Sequence, residues 1–275
     1  MPELPEVETI RRGLLAHLGG RELQQVQVFR GDLRRPVNTA ELTDLAGARL
    51  EGITRRGKYL VFSFSSARAL LLHLGMSGRL HLAFSAHTRP PHTHVVFRFA
   101  GDCWLLFVDP RRFGLVKVTV AGSWAEDPLV AALGPEPSHP EAVAAALERV
   151  ARGRGRAVRD LLLDQRVVAG VGNIYANEAL FAARIRPQRH SRELSRKDLW
   201  RLVVCLKQVV EEALQAGGTT LADGGFRNAS GEPGFFSLNL WVYSRHQQPC
   251  RRCQTPIRRI VLSGRSAYFC PRCQR

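Results

Sequence analysis

The chain contains no apolar run long enough to span a bilayer and no basic block beside one, which argues against an integral membrane protein. Nor does it open with a basic segment and an apolar core: Met1 is followed by proline and glutamates. A secretory signal is therefore not expected, and a cytosolic or nucleoid location is. No internal repeat and no low-complexity tail is present, which sets aside solenoids and disordered extensions. Acidic residues are in short supply: 24 Asp and Glu face 40 Lys and Arg, a formal charge of +16. That imbalance points to a polyanionic partner, with nucleic acid as the first candidate. A generally basic proteome would give the same charge, because net charge speaks to association and not to fold. Cysteine is also scarce, six in all, and four of the six are confined to the tail.

With 275 residues, 45% of them hydrophobic, the chain is long enough for two domains with substantial cores. Short apolar and β-branched runs at 26–29, 59–64, 70–74, 95–99 and 104–108 predict a β-sandwich or barrel-like N-terminal domain over 1–132. Proline and glycine then cluster from Ser123 to Pro140, which predicts a hinge at 133–140. Helical patterns follow at 141–151, 156–168, 174–184 and 195–216, the last announced by Ser195 with Asp198 three residues on. A helical domain over 141–239 is expected, containing a glycine-rich loop at 217–237, followed by a small metal-bound unit at 240–275.

The first residues, Met1-Pro2-Glu3-Leu4-Pro5-Glu6-Val7-Glu8, support two readings. Removal of Met1 would expose a secondary amine flanked by carboxylates, and α-amino groups titrate at about 7.7 to 8.0. Such an amine can attack a masked aldehyde and form an iminium ion, the covalent logic of Schiff-base enzymes. Alternatively Pro5 simply starts a helix, Glu6 and Glu8 complement its positive end, and Val7, Ile10, Leu14 and Leu18 form its apolar stripe.

Cys250-x-x-Cys253 followed by Cys270-x-x-Cys273 has the spacing of two knuckles gripping one tetrahedral zinc ion. Four thiolates leave no open position, so the expected role of the metal is structural. Between the knuckles, Ser263-Gly264-Arg265 reads as a turn presenting an arginine to phosphate. Cys103 and Cys205 lie outside the quartet and read as reduced core thiols. Asn173, after Ala169-Gly170-Val171-Gly172, reads either as an N-cap or as part of an anion site at a helix start. His73-Leu74-Gly75-Met76-Ser77-Gly78 and Asp109-Pro110-Arg111-Arg112-Phe113-Gly114 read as strand ends running into tight turns. There Met76 and Phe113 either cap the core or serve as a wedge in a DNA stack.

Taken in order, these blocks, together with Arg56-Gly57-Lys58-Tyr59, Leu133-Gly134-Pro135-Glu136-Pro137, residues 164–178 and Gly217-Gly218-Thr219-Thr220-Leu221, resemble the bacterial formamidopyrimidine-DNA glycosylase family over nearly the whole chain. Leu4 and the Met76, Arg111, Phe113 set resemble this branch more than the Nei branch. The resemblance implies an α+β protein of two domains, with an N-terminal β-sandwich and a helix-two-turn-helix domain ending in a four-cysteine zinc ribbon. It implies a monomeric bifunctional glycosylase/AP lyase that removes oxidised purines from damaged double-stranded DNA, with one structural zinc. Carried over, Pro2 is the nucleophile, Glu3 the acid/base and Glu6 a supporting carboxylate. Lys58, His73, Asn173, Tyr243 and Arg265 match positions that grip phosphates, with Lys58 counted in the catalytic set. Met76, Arg111 and Phe113 match the inserted triad, the lesion-capping loop falls at 217–237, and Glu178 takes a local structural role.

Overall fold

The computed structural model describes residues 2–84, 89–153, 155–220, 232 and 234–275. Met1, and most of the loop expected at 217–237, lie outside these residues. By its contacts the chain forms two units, one of residues 1–131 and 216–235, the other of residues 132–215 and 236–275. Residues 216–235, read from sequence with the helical segment, group with the first unit.

The first unit begins with α1 (Leu4–Leu18) and β1 (Leu23–Val28), then α2 (Thr39–Thr43), β2 (Leu50–Arg56), β3 (Tyr59–Phe64), β4 (Arg68–His73), β5 (Arg79–Phe84), β6 (Thr93–Phe99), β7 (Cys103–Val108) and β8 (Leu115–Val120). A 3₁₀ turn at Ala121–Glu126 and the short α3 (Pro128–Ala131) follow. The strands form two four-stranded antiparallel sheets, ordered β2-β3-β4-β8 and β1-β6-β7-β5. One apolar cluster joins them: Leu60, Phe62, Phe64, Leu70 and Leu72 from the first sheet meet Leu80, Val95, Phe97, Leu105 and Phe107 from the second. Period-two alternation sends these residues to one face of each strand. Three strands went unread in the sequence. In β2, β5 and β8 arginine, threonine, histidine or lysine interrupts the apolar residues, which leaves half-buried patterns and no continuous run.

Helix α1 adds Val7, Ile10, Leu14 and Leu18 to the same cluster. The spacing places all four on one face, and each buried aliphatic side chain contributes about 1.5–3 kcal/mol. The helix starts at Leu4, so Pro5 occupies its second position and not its first. A proline there still sacrifices only an N–H that the first turn leaves unpaired.

The second unit contains α4 (Pro140–Ala151), α5 (Val158–Leu163), α6 (Asn173–Ala182) and α7 (Arg196–Gln215), followed by the hairpin of β9 (Arg258–Leu262) and β10 (Arg265–Phe269). The helix predicted over 156–168 ends at Leu163, because Asp164 adopts an extended backbone and accepts from Arg156 and Arg166. Gln165 then closes the turn, accepting from Gly170 N–H and donating to Val171 C=O. The start of α7 follows the sequence signal: Asp198 N–H donates to Ser195 Oγ, and the Asp198 carboxylate accepts from Ser195 N–H. Among the described residues no helix is long and apolar enough to cross a membrane.

Two solution measurements test this packing. Leu14→Ala removes a fully buried side chain and should cost about 2–5 kcal/mol, read from the urea midpoint at unchanged slope. Glu8 is buried, which favours its neutral form, yet hydrogen bonds from Arg11 and Arg12 and the charge of Arg55 bring its pKa down to about 2. The stability it supplies is therefore present above the ordinary value of 4.5 and lost as pH falls towards 2. Glu8→Gln should flatten the acid limb of the stability profile across that window while leaving its shape at neutral pH alone.

Candidate active site and nucleic-acid interface

In the first unit the head of α1 is built from carboxylates. Glu3 is the N-cap and Glu6, at N3, completes a capping box, with Glu3 N–H donating to Glu6 Oε2 at 2.7 Å. The other oxygen of Glu6 accepts Thr219 N–H at 2.8 Å. Pro2, Glu3 and Glu6 are all buried. The capped-helix reading of this segment is thus correct in geometry, and the same geometry holds Pro2 beside two carboxylates at a helix start. Capping and chemistry do not exclude one another here.

Lys58 lies in the tight turn between β2 and β3, where Gly57 has a φ of +57° and allows the reversal. A chain of polar contacts ties this turn to α1. Glu8 accepts Arg55 Nε at 3.1 Å, and Arg55 Nη1 donates to the Gly57 carbonyl at 3.1 Å. Lys58 is buried, and the register pairs its neighbour Tyr59 with His73 on β4. Burial, then the charges of Lys58 and Arg34, push the His73 imidazole down to about 3. His73 Nδ1 accepts Gly75 N–H at 2.9 Å, so the proton of the neutral ring sits on Nε2. His73 is therefore a neutral hydrogen-bond donor next to two cations, a combination suited to a phosphate oxygen. Sequence reading missed Arg34; only the tertiary fold brings it to β4.

Met76 is 47% exposed and Phe113 43%. The alternative in which they cap the core therefore falls. Arg111 sits with its guanidinium 4.8 Å from the Phe113 ring centroid, so a cation and an aromatic are presented together at a turn tip.

In the second unit, Asn173 is the first residue of α6 and Gly172 the N-cap, which corrects the N-cap reading of Asn173. Its side chain faces the β9–β10 hairpin instead. Nδ2 donates to Ser266 C=O at 3.0 Å, while Oδ1 accepts Arg159 Nη2 at 2.8 Å. Arg159 was not singled out in the sequence, although an arginine inside Val158-Arg159-Asp160-Leu161-Leu162 is the kind of residue that signals a buried tie. It is fully buried and also donates to Leu262 C=O and Ser266 C=O. Ser263 and Gly264 have φ of +46° and +74°, as a two-residue hairpin turn requires, and Ser263 Oγ donates to Asp160. The turn delivers Arg265 to solvent. Tyr243 is positioned through its backbone: the buried Glu178 carboxylate accepts the N–H groups of Trp241, Val242 and Tyr243 at 2.8–3.0 Å. Burial raises the Glu178 pKa, and those three donors oppose the rise.

The four cysteine sulfurs lie within 4.8 Å of one another. A tetrahedron of thiolates about 2.3 Å from zinc has edges of about 3.8 Å, and the separations of 3.4 Å for Cys253–Cys270 and 4.0 Å for Cys250–Cys273 bracket that value. Burial and then the neighbouring sulfurs push Cys273 up to about 12, the repulsion that a divalent cation relieves. The donor set fits one structural zinc. Around it a small core of Phe181, Val242, Cys250, Ile257 and Cys270 seats the ribbon on α6. Of the remaining cysteines, Cys103 is buried in the sandwich core, whereas Cys205 is only half-buried; burial raises both thiol pKa values.

The chain matches the formamidopyrimidine-DNA glycosylase N-terminal domain over residues 1–116, the formamidopyrimidine-DNA glycosylase H2TH domain over 133–224 and the zinc finger found in FPG and IleRS over 247–275. It is 47% identical to the formamidopyrimidine-DNA glycosylase of Methylococcus capsulatus, covering 100% of both chains. Its structure resembles the MutM (Fpg) protein of Thermus thermophilus, with 42% identity, a TM-score of 0.88 and coverage of 99% of this chain and 98% of that one. It also resembles Lactococcus lactis Fpg in complex with DNA containing an abasic site, with 32% identity, a TM-score of 0.89 and coverage of 99% of both chains.

The zinc site yields a direct check. Cys250→Ala should lower bound zinc from one equivalent towards none and unfold the ribbon, because the metal supplies folding energy that so small a core cannot. Atomic absorption together with hydrogen exchange over residues 240–275 measures both, and full zinc occupancy with native protection would contradict the assignment.

Proposed function

Because the chain belongs to the formamidopyrimidine-DNA glycosylase family, DNA glycosylases that act on damaged DNA, we propose that it excises oxidised purines from duplex DNA and then cleaves the strand as an AP lyase. The observation that carries this reading is the head of α1, where a buried Pro2 precedes the Glu3 N-cap and Glu6 holds the Glu3 backbone. Damaged double-stranded DNA is the partner, consistent with the charge of +16. The protein works as a monomer in the bacterial cytoplasm, at the nucleoid.

The chemistry needs the target nucleotide out of the stack, at a cost of a few kcal/mol that damage lowers. With Met1 removed, the Pro2 lone pair attacks C1′ and forms the N–C1′ bond. The glycosidic bond breaks, and the base leaves with the bonding pair and takes up the proton that the Pro2 nitrogen sheds. As the sugar ring opens, Glu3 delivers a proton to O4′ and the iminium ion forms. A proton is then lost from C2′ and the 3′ phosphate departs; a second elimination, with loss of the C4′ proton, expels the 5′ phosphate. Water hydrolyses the iminium and returns Pro2. Glu6 keeps the Pro2–Glu3 backbone in place through its hydrogen bonds. Lys58 joins His73 in holding phosphate near the reacting sugar, while Asn173, Tyr243 and Arg265 grip phosphates from the second unit. Met76, Arg111 and Phe113 fill the space left by the extruded nucleotide, Arg111 addressing the base opposite. Zinc, its four positions taken by thiolates, enters no step.

Borohydride trapping on a duplex with one 8-oxoguanine opposite cytosine, followed by mass mapping, tests the reading. The expected adduct is on Pro2. Pro2→Gly should retain partial lyase activity through its primary amine, and Glu3→Gln should lower base excision by about 10²-fold or more, the usual contribution of a general acid/base. An adduct only with a dihydrothymine duplex would move the specificity to oxidised pyrimidines, and normal excision by Glu3→Gln would refute its role.

A further inference from the structure

The sandwich topology lays two crossover turns side by side. Strands β4 and β8 pair in one sheet and β5 and β7 in the other. Residues 74–78 lead from β4 to β5, and residues 109–114 lead from β7 to β8. Both segments therefore cross the same gap between the same two strand pairs, with His73 opposite Leu115 at one end and Arg79 opposite Val108 at the other. The first turn presents Met76, the second Arg111 and Phe113.

Asp109 opens the second turn and has no exposed surface. Its Oδ1 accepts the Ser77 hydroxyl of the first turn at 2.5 Å, and its Oδ2 accepts Gly114 N–H at the end of the second at 2.7 Å. Ser77 Oγ in turn accepts Arg111 N–H at 3.2 Å. The Asp109 carbonyl is engaged as well, by His94 Nε2 at 2.7 Å and by Arg112 N–H at 3.2 Å. The two backbones touch. Gly75, at a φ of +62°, lies so close to the Phe113 carbonyl that a Cβ would collide with it. Gly114 is likewise walled in by the Phe107 ring and the Asp109 carboxylate.

A buried carboxylate is expensive to desolvate, and an apolar side chain would fill the same volume more cheaply. What an apolar residue cannot do is accept one donor from each turn. We propose that Asp109 and Ser77 are positioning residues that clasp the two turns into one preformed wedge, so that Met76 and the Arg111–Phe113 pair enter the duplex together. The inference rests on the insertion role given to those three side chains above. A wedge ordered in advance loses little conformational freedom on insertion; two independent tips must be ordered while the stack is being opened. The clasp therefore governs duplex opening and recognition of the opposite base, and leaves sugar chemistry to Pro2 and Glu3.

The experiment compares Ser77→Ala and Asp109→Asn with the wild type under single-turnover conditions. One substrate is a duplex carrying 8-oxoguanine opposite cytosine or adenine. The other is a single-stranded oligonucleotide with one abasic site, where no stack has to be opened and borohydride trapping reads the amine chemistry alone. Both variants should excise from the duplex about tenfold more slowly or worse, the order expected for losing one hydrogen bond to a charged group. The preference for cytosine over adenine should shrink, single-strand trapping should stay unchanged, and Ser77→Thr, which keeps the hydroxyl, should restore the duplex rate. Phe113→Ala is run in parallel. If it excises normally, insertion itself is wrong; if it is slow while Ser77→Ala is normal, only the clasp is wrong. Equal losses on both substrates, with a lowered Tm, would make Asp109 and Ser77 mere supports of the fold and overturn the proposal.

Discussion

The Glu6 carboxylate is the contact on which the arrangement of the first unit turns. One oxygen holds the backbone of Glu3 and the other the backbone of Thr219, a residue 213 positions away in the chain. A buried N–H left unpaired costs about 1–3 kcal/mol, so both segments are drawn to the same carboxylate. Termini usually fray, and the nucleophile proposed at Pro2 needs the chain that carries it held still. The helix cap at Glu3 is the contact that does so. Two residues further along α1, Glu8 grips Arg55, and Arg55 holds the Gly57 carbonyl beside Lys58. The first turns of one helix thus position Glu3, the loop base at Thr219 and the lysine turn.

The second unit meets a different difficulty. Its hairpin and knuckles are too small to own a core, and the cluster around Phe181 and the cysteines is correspondingly short. Zinc is one answer. The other is a set of buried polar ties from α5 and α6: Arg159 to the Leu262 and Ser266 carbonyls, Asn177 Oδ1 accepting Tyr268 N–H at 2.7 Å, and Glu178 accepting three successive N–H groups. Each is directional, and in a low-dielectric setting each fixes geometry more tightly than apolar packing does. The residues so fixed, Asn173, Tyr243 and Arg265, are those assigned to phosphate.

Much of this was legible in the chain. Apolar runs on β3, β4, β6 and β7, the stripe of α1, the Ser195–Asp198 start of α7 and the cysteine quartet all carry periodicity or spacing that local physics interprets directly. The elements that escaped have mixed local signals. Strand β5, Arg79-Leu80-His81-Leu82-Ala83-Phe84, is only partly buried, and α5 stops early because Asp164 finds better partners off the helix than on it. Buried polar ties escaped too, since Arg159 and Asp109 look like any surface charge until distant partners such as Ser77, Asn173 and Ser266 come into place.

The amino-acid sequence by itself determined the α+β composition, the zinc quartet, the positive charge and the clustering of Pro2 with Glu3 and Glu6. These depend on residue type and on separations of a few positions, which a helix, a turn or a knuckle converts into geometry without outside help. Tertiary structure alone decided whether Met76 and Phe113 face water or core, which nitrogen of His73 bears the proton, that Asn173 turns towards the hairpin, and that Glu6 and Asp109 each join two segments. Those outcomes depend on burial and on partners distant in the chain. Hydrogen-bond satisfaction is an account that closes only when the whole unit has folded.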